Sequence, residues 1–232
     1  HKPGSLQSLA QLPVGQNSYF GLHCDMNELT KWSMSLMKKM FDLDAEKSAK
    51  LDNIVKMMQQ KDHEIGDYVA AFSVGDLKGG IMRSFVISQV KNAASYSTLY
   101  ADSFEVFGSL GSNEFVQQEM IFTPKAETIE GKQVDHLLLK QNFESDVVPG
   151  EIANEIMSAI YGPEGSLTRI LYKEDAVLQT AGGGAANMKK LLASSADPHA
   201  SAAFEKTRKE LLPQANLIVM FDPAATVAKL GK

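Results

Sequence analysis

The chain has 232 residues, 44% of them hydrophobic, enough to bury one sizeable core. Charged residues make up 22% and the net charge is -5, and no basic domain or stripe of the kind that marks a nucleic-acid binder is present. No apolar run approaches the ~20 residues that span a bilayer, and a lone cysteine, Cys24, excludes an internal disulfide framework.

The first predicted element is a strand over 18–24, after Leu12-Pro13 and the polar turn Gly15-Gln16-Asn17. Asp25 or Asn27 supplies an N-cap for a helix with Leu29, Trp32, Ser33, Leu36, Met37 and Met40 on one face. A second helix over about 45–60 has Leu51, Ile54, Val55 and Met58 on its apolar side. Strands over 68–74 and 81–90 flank the turn residues 75–80, and a helix over about 93–107 carries Tyr96, Leu99, Tyr100, Phe104 and Phe107.

A second hairpin pairs 115–123 with 133–143, with Glu130-Gly131-Lys132 beside the turn. Pro149 precedes a helix over 151–161, where Ile152, Ile156 and Ile160 are expected to mark the buried side. A third hairpin over 167–180 turns at Glu174-Asp175, and Gly182-Gly183-Gly184 ends it. A short helix with Met188, Leu191 and Leu192 follows, then one over about 199–211 with Asp197 as N-cap and Pro198 in first position. The last strand is 216–221, and Asp222-Pro223 caps a final helix over 224–230.

Hairpin then helix occurs three times, starting near Tyr68, Phe115 and Leu167. This pattern predicts an α+β fold: a single domain over 1–232, with seven or eight mainly antiparallel strands and helices packed on one face. There is a second echo. Leu12-Pro13, a strand, Asp25 and a helix resemble Leu212-Pro213, a strand, Asp222 and a helix. The last strand therefore either starts a second unit at about 212 or pairs with the first strand inside one sheet. The chain begins at His1, so either a leader has been removed or the chain is a cut fragment.

With this echo go two further segments, Glu127 to His136 (ETIEGKQVDH) and Leu171 to Gly182 (LYKEDAVLQTAG). Together the three features resemble the repeated α+β units of large secreted or surface bacterial proteins of unknown function. The resemblance covers most of the chain, and its motifs are structural. It implies an extracytoplasmic location and a binding or structural role, and transfers no catalytic or binding residue.

Candidate chemistry is sparse. Gly182-Gly183-Gly184 lies between a strand and a helix, where backbone N–H groups can meet an anion. It fits neither nucleotide motif, and a turn needing positive φ is the plainer reading. His23, Cys24 and Met26, with Met34, Met37 and Met40, carry soft ligands for Cu(I). Strand alternation separates His23 from Cys24, and helical methionines at spacing three read as adaptable core.

His136 beside Asp135, and His63 between Asp62 and Glu64, are the best acid–base clusters. His136 is expected on the face of Val134 and Leu138, partly buried and hydrogen-bonded; His63 reads as solvated. Zinc spacing is absent. Gly108-Ser109-Leu110-Gly111 is out of register for a nucleophile elbow. Glu144 and Asp146 offer a carboxylate pair of unknown separation. Lys38-Lys39 and Lys189-Lys190 read as solvated pairs at helix ends.

No catalytic residue, cofactor or metal is therefore assigned. The expected function is a non-catalytic extracytoplasmic binding or structural module, partnered by other proteins or surface components rather than by nucleic acid or a membrane span. Two alternatives stand beside it. One is a carrier of an apolar ligand lined by Tyr96, Tyr100, Phe104 and Phe107. The other is a hydrolase built on His136 or His63.

Overall fold

The computed structural model describes residues 2–40, 45–59, 64–76, 80–110, 116–143, 149–162, 165–196, 213–223 and 226–227. The strands are β1 (Ser18–His23), β2 (Ile65–Val74), β3 (Met82–Val90), β4 (Val116–Ile129), β5 (Lys132–Phe143), β6 (Ser166–Tyr172), β7 (Ala176–Ala181) and β8 (Leu217–Phe221). The helices are α1 (Met26–Met40), α2 (Ala45–Met58), α3 (Ala93–Leu110), α4 (Gly150–Tyr161) and α5 (Gly184–Ala196), with a 3-10 segment at Gln7–Gln11. No described helix is long and apolar enough to cross a membrane. The helix expected over 199–211 lies outside the described residues.

All eight strands join one sheet in the order β4-β5-β6-β7-β3-β2-β1-β8, and every pairing between them is antiparallel. The α+β antiparallel architecture is thus as the hairpin pattern predicts. Three local signals do this work. Glu130 (φ 49°) and Gly131 (φ 73°) both take left-handed conformations between the partners Ile129 and Lys132. Two positive φ angles in a two-residue loop match the right-handed twist of the flanking strands. Asp25 caps α1 by accepting hydrogen bonds from the N–H groups of Asn27 and Glu28, both at 3.1 Å. At Gly182 (φ 69°) an added Cβ would stand 2.3 Å from the Met82 carbonyl oxygen, so close strand approach requires glycine there.

Side-chain alternation assigns the two faces of the sheet. On the first face Val69, Phe85, Ile87, Leu171, Leu178 and Ile218 form a core with the 3-10 segment and with Met188, Leu191 and Leu192 of α5. On the second face Val90, Ile170 and Val177 pack beneath Tyr96 and Leu99 of α3. A third cluster, Met34, Leu51 and Ile54, glues α1 to α2. Helices α1, α2 and α3 gather on the second face, as a one-faced layer would, while α5 and the 3-10 segment close the first. The expectation of helices on one face is refined accordingly: the strands alternate apolar residues on both sides, so both sides need a cover.

Helix α4 departs from its expected packing. Ile152 and Ile156 are 49% and 52% exposed, and no residue of α4 is buried. The helix lies at the end of the sheet, touching β5 and β3, with Ile81 N–H donating to the Ala159 carbonyl. Its isoleucine spacing marks an apolar stripe correctly, but the stripe faces outward.

Candidate functional site

Two polar clusters and one apolar groove stand out from this frame. The first cluster sits on the α5 face near the β4 edge. Register places His136 of β5 opposite Arg169 of β6 and Thr123 of β4. Glu127 reaches in from β4, and its Oε2 accepts from His136 Nε2 at 3.0 Å and from Arg169 Nε at 2.8 Å. Burial works to raise the Glu127 carboxyl, but the hydrogen bonds and charges of Arg169 and His136 together hold it below its ordinary range. The sequence pointed to His136 and placed it correctly beside Val134 and Leu138, yet paired it with Asp135. Asp135 projects to the other face, and its Oδ1 accepts from the backbone N–H of Lys125 at 2.7 Å.

The second cluster was not foreseen. His23 of β1 is the register partner of Asp67 of β2, and its Nδ1 donates to Asp67 Oδ1 at 2.6 Å. The Ser8 hydroxyl donates to the other oxygen, Oδ2, at 3.3 Å. Serine, histidine and aspartate therefore meet, but in the wrong order for nucleophilic catalysis. A hydrolytic triad puts the imidazole between hydroxyl and carboxylate so that it can take the hydroxyl proton. Here the carboxylate is in the middle and Ser8 is 1% exposed. The arrangement clamps the 3-10 segment to β1 and β2.

The other sequence candidates fall apart in space or into packing. The Cys24 thiol lies 3.5 Å from the Met26 sulfur, while His23 is committed to Asp67. Burial pushes the thiol pKa up, and neighbouring Asp25 adds to this, which disfavours the nucleophilic thiolate. Met34 is buried against Leu51 and Ile54. Among the described residues no three His, Cys, Asp or Glu side chains cluster as a metal site. At Gly183 a Cβ would collide with the Asn187 side chain, whose Nδ2 donates to the Gly182 carbonyl, so this glycine run is a packed turn.

Tyr96, Tyr100, Phe104 and Phe122 stack in sequence at centroid distances of 5.7, 5.1 and 5.8 Å. Gln179 donates to the Tyr100 hydroxyl at 3.0 Å, and burial first of all pushes that phenol pKa up to about 12. These rings are core. An open cleft of ≈ 390 Å³ instead lies between β5 and α4, lined by Leu138, Gln141, Asn154, Met157 and Tyr161 among others. His63, Glu144 and Asp146 lie outside the described residues, and Ser109 belongs to the last turn of α3.

The largest unexplained feature is apolar. Ile218 and Met220 of β8 pack into the α5-side core, so Leu217, Val219 and Phe221 project from the second face, 54%, 64% and 63% exposed. Register sets Phe20 beside Val219 and Leu22 beside Leu217, extending this surface onto β1. Phe72 of β2, 42% exposed, continues it.

One wall of the groove is α1. The helix turns Met34 and Met37 inward to α2, and Lys38 reaches Asp52 of α2 at 2.5 Å. At 100° per residue, Leu29, Leu36 and Met40 lie on the flank opposite Lys38, with Trp32 adjoining them. The helical layer runs α3, α2, α1, and α1 touches β2, so that flank lies on the side of the layer away from α2 and α3. All four of these side chains are exposed, Trp32 at 63% and Met40 at 69%. Floor and wall together expose eight large apolar residues, each at 39% or more, and exposed apolar patches on a monomer's surface mark interaction sites.

No protein-family model matches the chain, nor does any curated protein or solved structure.

Proposed function

We propose that this chain is a non-catalytic binding or structural module whose working surface is the groove between α1 and the β1–β8 strands. The observation that carries the reading is the Leu29–Trp32–Leu36–Met40 flank. It is an apolar helix stripe left exposed on the helix that follows β1, while the second face of β8 beside β1 is exposed and apolar as well. An exposed apolar surface of this composition is stabilised by association. The polar clusters support the same reading, because both histidines are tied to carboxylates that already serve backbone-positioning or ion-pair roles. The resemblance to secreted and surface bacterial units supports a role outside the cytoplasm, with a second protein or a surface component as the proposed partner.

A photo-crosslinking residue at position 32 tests this in the source cell, with position 47 on α2 as the control. The reading expects protein adducts at 32 and none at 47. Equal yields at both positions, or none at 32, overturn it.

A second reading rests on the cleft between β5 and α4, whose ≈ 390 Å³ lies within the size range of small-ligand sites. Native mass spectrometry of gently purified protein decides it. A discrete added mass that is lost in a Met157→Trp variant supports a carrier; a bare chain removes it.

A further inference from the structure

Among the described residues the groove ends at a strand edge that carries no further strand, and that edge has a self-complementary form. Asn216 and Asp222 exchange backbone hydrogen bonds with β1: His23 N–H donates to the Asn216 carbonyl, and Asp222 N–H donates to the Asn17 carbonyl. Peptide groups along a strand alternate in direction. The N–H and C=O groups of Leu217, Val219 and Phe221 therefore point away from β1, to the outer edge of the sheet. The same alternation turns Ala215 outward, and Ala215 is paired there with Gly4 in an antiparallel bridge. Among the described residues no strand pairs with β8 beyond that stop. Among the described residues the ladder without a partner strand is thus three outward-facing residues long and centred on Val219.

Edge strands of soluble proteins are ordinarily protected by charge, proline, a bulge or a cover. Residues 215–221 read Ala-Asn-Leu-Ile-Val-Met-Phe, with no charged residue and no proline. Both faces of the strand are apolar, one packed in the α5-side core and the other exposed. An odd number of outward residues in an uncharged strand can pair antiparallel with an identical strand in perfect register. Val219 would then oppose its own counterpart, and Leu217 would oppose Phe221. The molecule already contains a pairing of this type. β1 and β8 share the Leu-Pro, strand, Asp-cap pattern, and they pair antiparallel as Tyr19 with Met220 and Gly21 with Ile218.

We infer that the occupant of this edge is a second copy of the chain, joined β8 to β8 about a two-fold axis through Val219. The result is one continuous sixteen-strand antiparallel sheet, twice the eight of one chain. The symmetry is closed and isologous, so association stops at the dimer. The exposed Leu217, Val219 and Phe221 of both copies become one cross-strand apolar ladder on the groove floor. This inference deepens the binding-module reading and rests on it, since it names the partner at one end of the same groove.

The test is sedimentation velocity at tens of micromolar on the full chain, with Val219→Lys, Val219→Glu and their equimolar mixture. Val219 is 64% exposed, so neither charge disturbs the packed face, and circular dichroism checks the fold. Wild type is expected at twice the 25.3 kDa chain mass. Each single variant sets like charges directly opposite each other and is expected to weaken the dimer about a hundred-fold or more. The mixture is expected to restore it, because Lys then faces Glu. A wild-type monomer overturns the inference, as does a dimer indifferent to both charges or a mixture that stays monomeric. A monomer that still crosslinks to a different protein through position 32 removes the second copy and leaves the binding module standing. A monomer that gives no adduct at 32 removes both.

Discussion

On the second face of the sheet, the half under α3 and the half beside α1 are built from the same material and meet opposite fates. Under α3, Ile170 and Val177 are sealed by Tyr96 and Leu99, and even the polar Gln179 finds the Tyr100 hydroxyl. At the β1–β8 end, Phe20, Leu22, Leu217, Val219 and Phe221 are equally apolar, yet Leu217, Val219 and Phe221 stay exposed, as does the apolar flank of α1. Hydrophobic content therefore does not separate core from surface in this chain. What separates them is whether a helix axis lies over the strands. On the proposed reading the α3 half is scaffold and the α1 half is working surface.

The contrast is broken most directly by truncating one aromatic in each half. Tyr96 is 1% exposed, and Tyr96→Ala is expected to cost about 3–5 kcal/mol through lost burial and the cavity left behind. Phe221→Ala on the open floor is expected to stay within about 0.5 kcal/mol for the monomer. Urea unfolding at a concentration where both variants are monomeric compares them. Equal losses would mean that the floor is already covered and that the two halves do not differ.

The clamp under the open half is the next largest effect. Asp67→Ala is expected to cost about 2–3 kcal/mol, because His23 and buried Ser8 both lose their acceptor. Asp67→Asn keeps one acceptor oxygen and is expected to recover part of the loss. The 3-10 segment should become the first region to exchange its amide protons in Asp67→Ala. If exchange there is unchanged, the clamp does not hold that segment.

These elements were unequally legible in the sequence. The strands and their turns could be read because alternation and the Glu-Gly and Glu-Asp turn signals are local. The pairing of β8 with β1 was one of two options, since a Leu-Pro echo says that two strands are alike but not that they are adjacent. At Ile152 and Ile156 spacing four marks a stripe without saying what covers it, and the stripe is exposed. The Ser8–Asp67–His23 clamp had no signal at all: its members are scattered along the chain and meet only through the β1–β2 register. His136 was found, but its partner was sought next door in Asp135, which alternation sends to the opposite face. Glu127 stands across the hairpin, where a bulge between Thr123 and Glu127 shifts the register.

That bulged corner gives a smaller, pH-resolved test on the α5 face. Glu127 is held below its ordinary carboxylate range in the folded state. A depressed folded pKa means that the stabilisation is present above the unfolded carboxylate value and is lost as pH falls through the folded one. Wild type should therefore lose about 1 kcal/mol between about pH 6 and pH 3 that Glu127→Gln does not lose, the size being limited by solvent access to the pair. Parallel pH profiles would show that Arg169 and His136 do not stabilise the carboxylate.

The smallest effect on stability carries the most information about the open half. Trp32 is the only tryptophan and stands 63% exposed on the α1 flank, so its fluorescence reports the groove alone. Trp32→Gln should change monomer stability by less than about 0.5 kcal/mol, because no core contact is lost. In a monomeric Val219→Lys background, the indole should be readily quenched by a soluble quencher. When a partner fills the groove, quenching should fall and the emission should move to shorter wavelength as water leaves the ring. A β8 to β8 pair extends the floor without itself lying against α1. Dimerisation alone should therefore shift the emission less than a helix or strand seated between the walls does. An indole already shielded in the monomer would mean that α1 has its cover within the chain, and the two halves of the second face would then be alike after all.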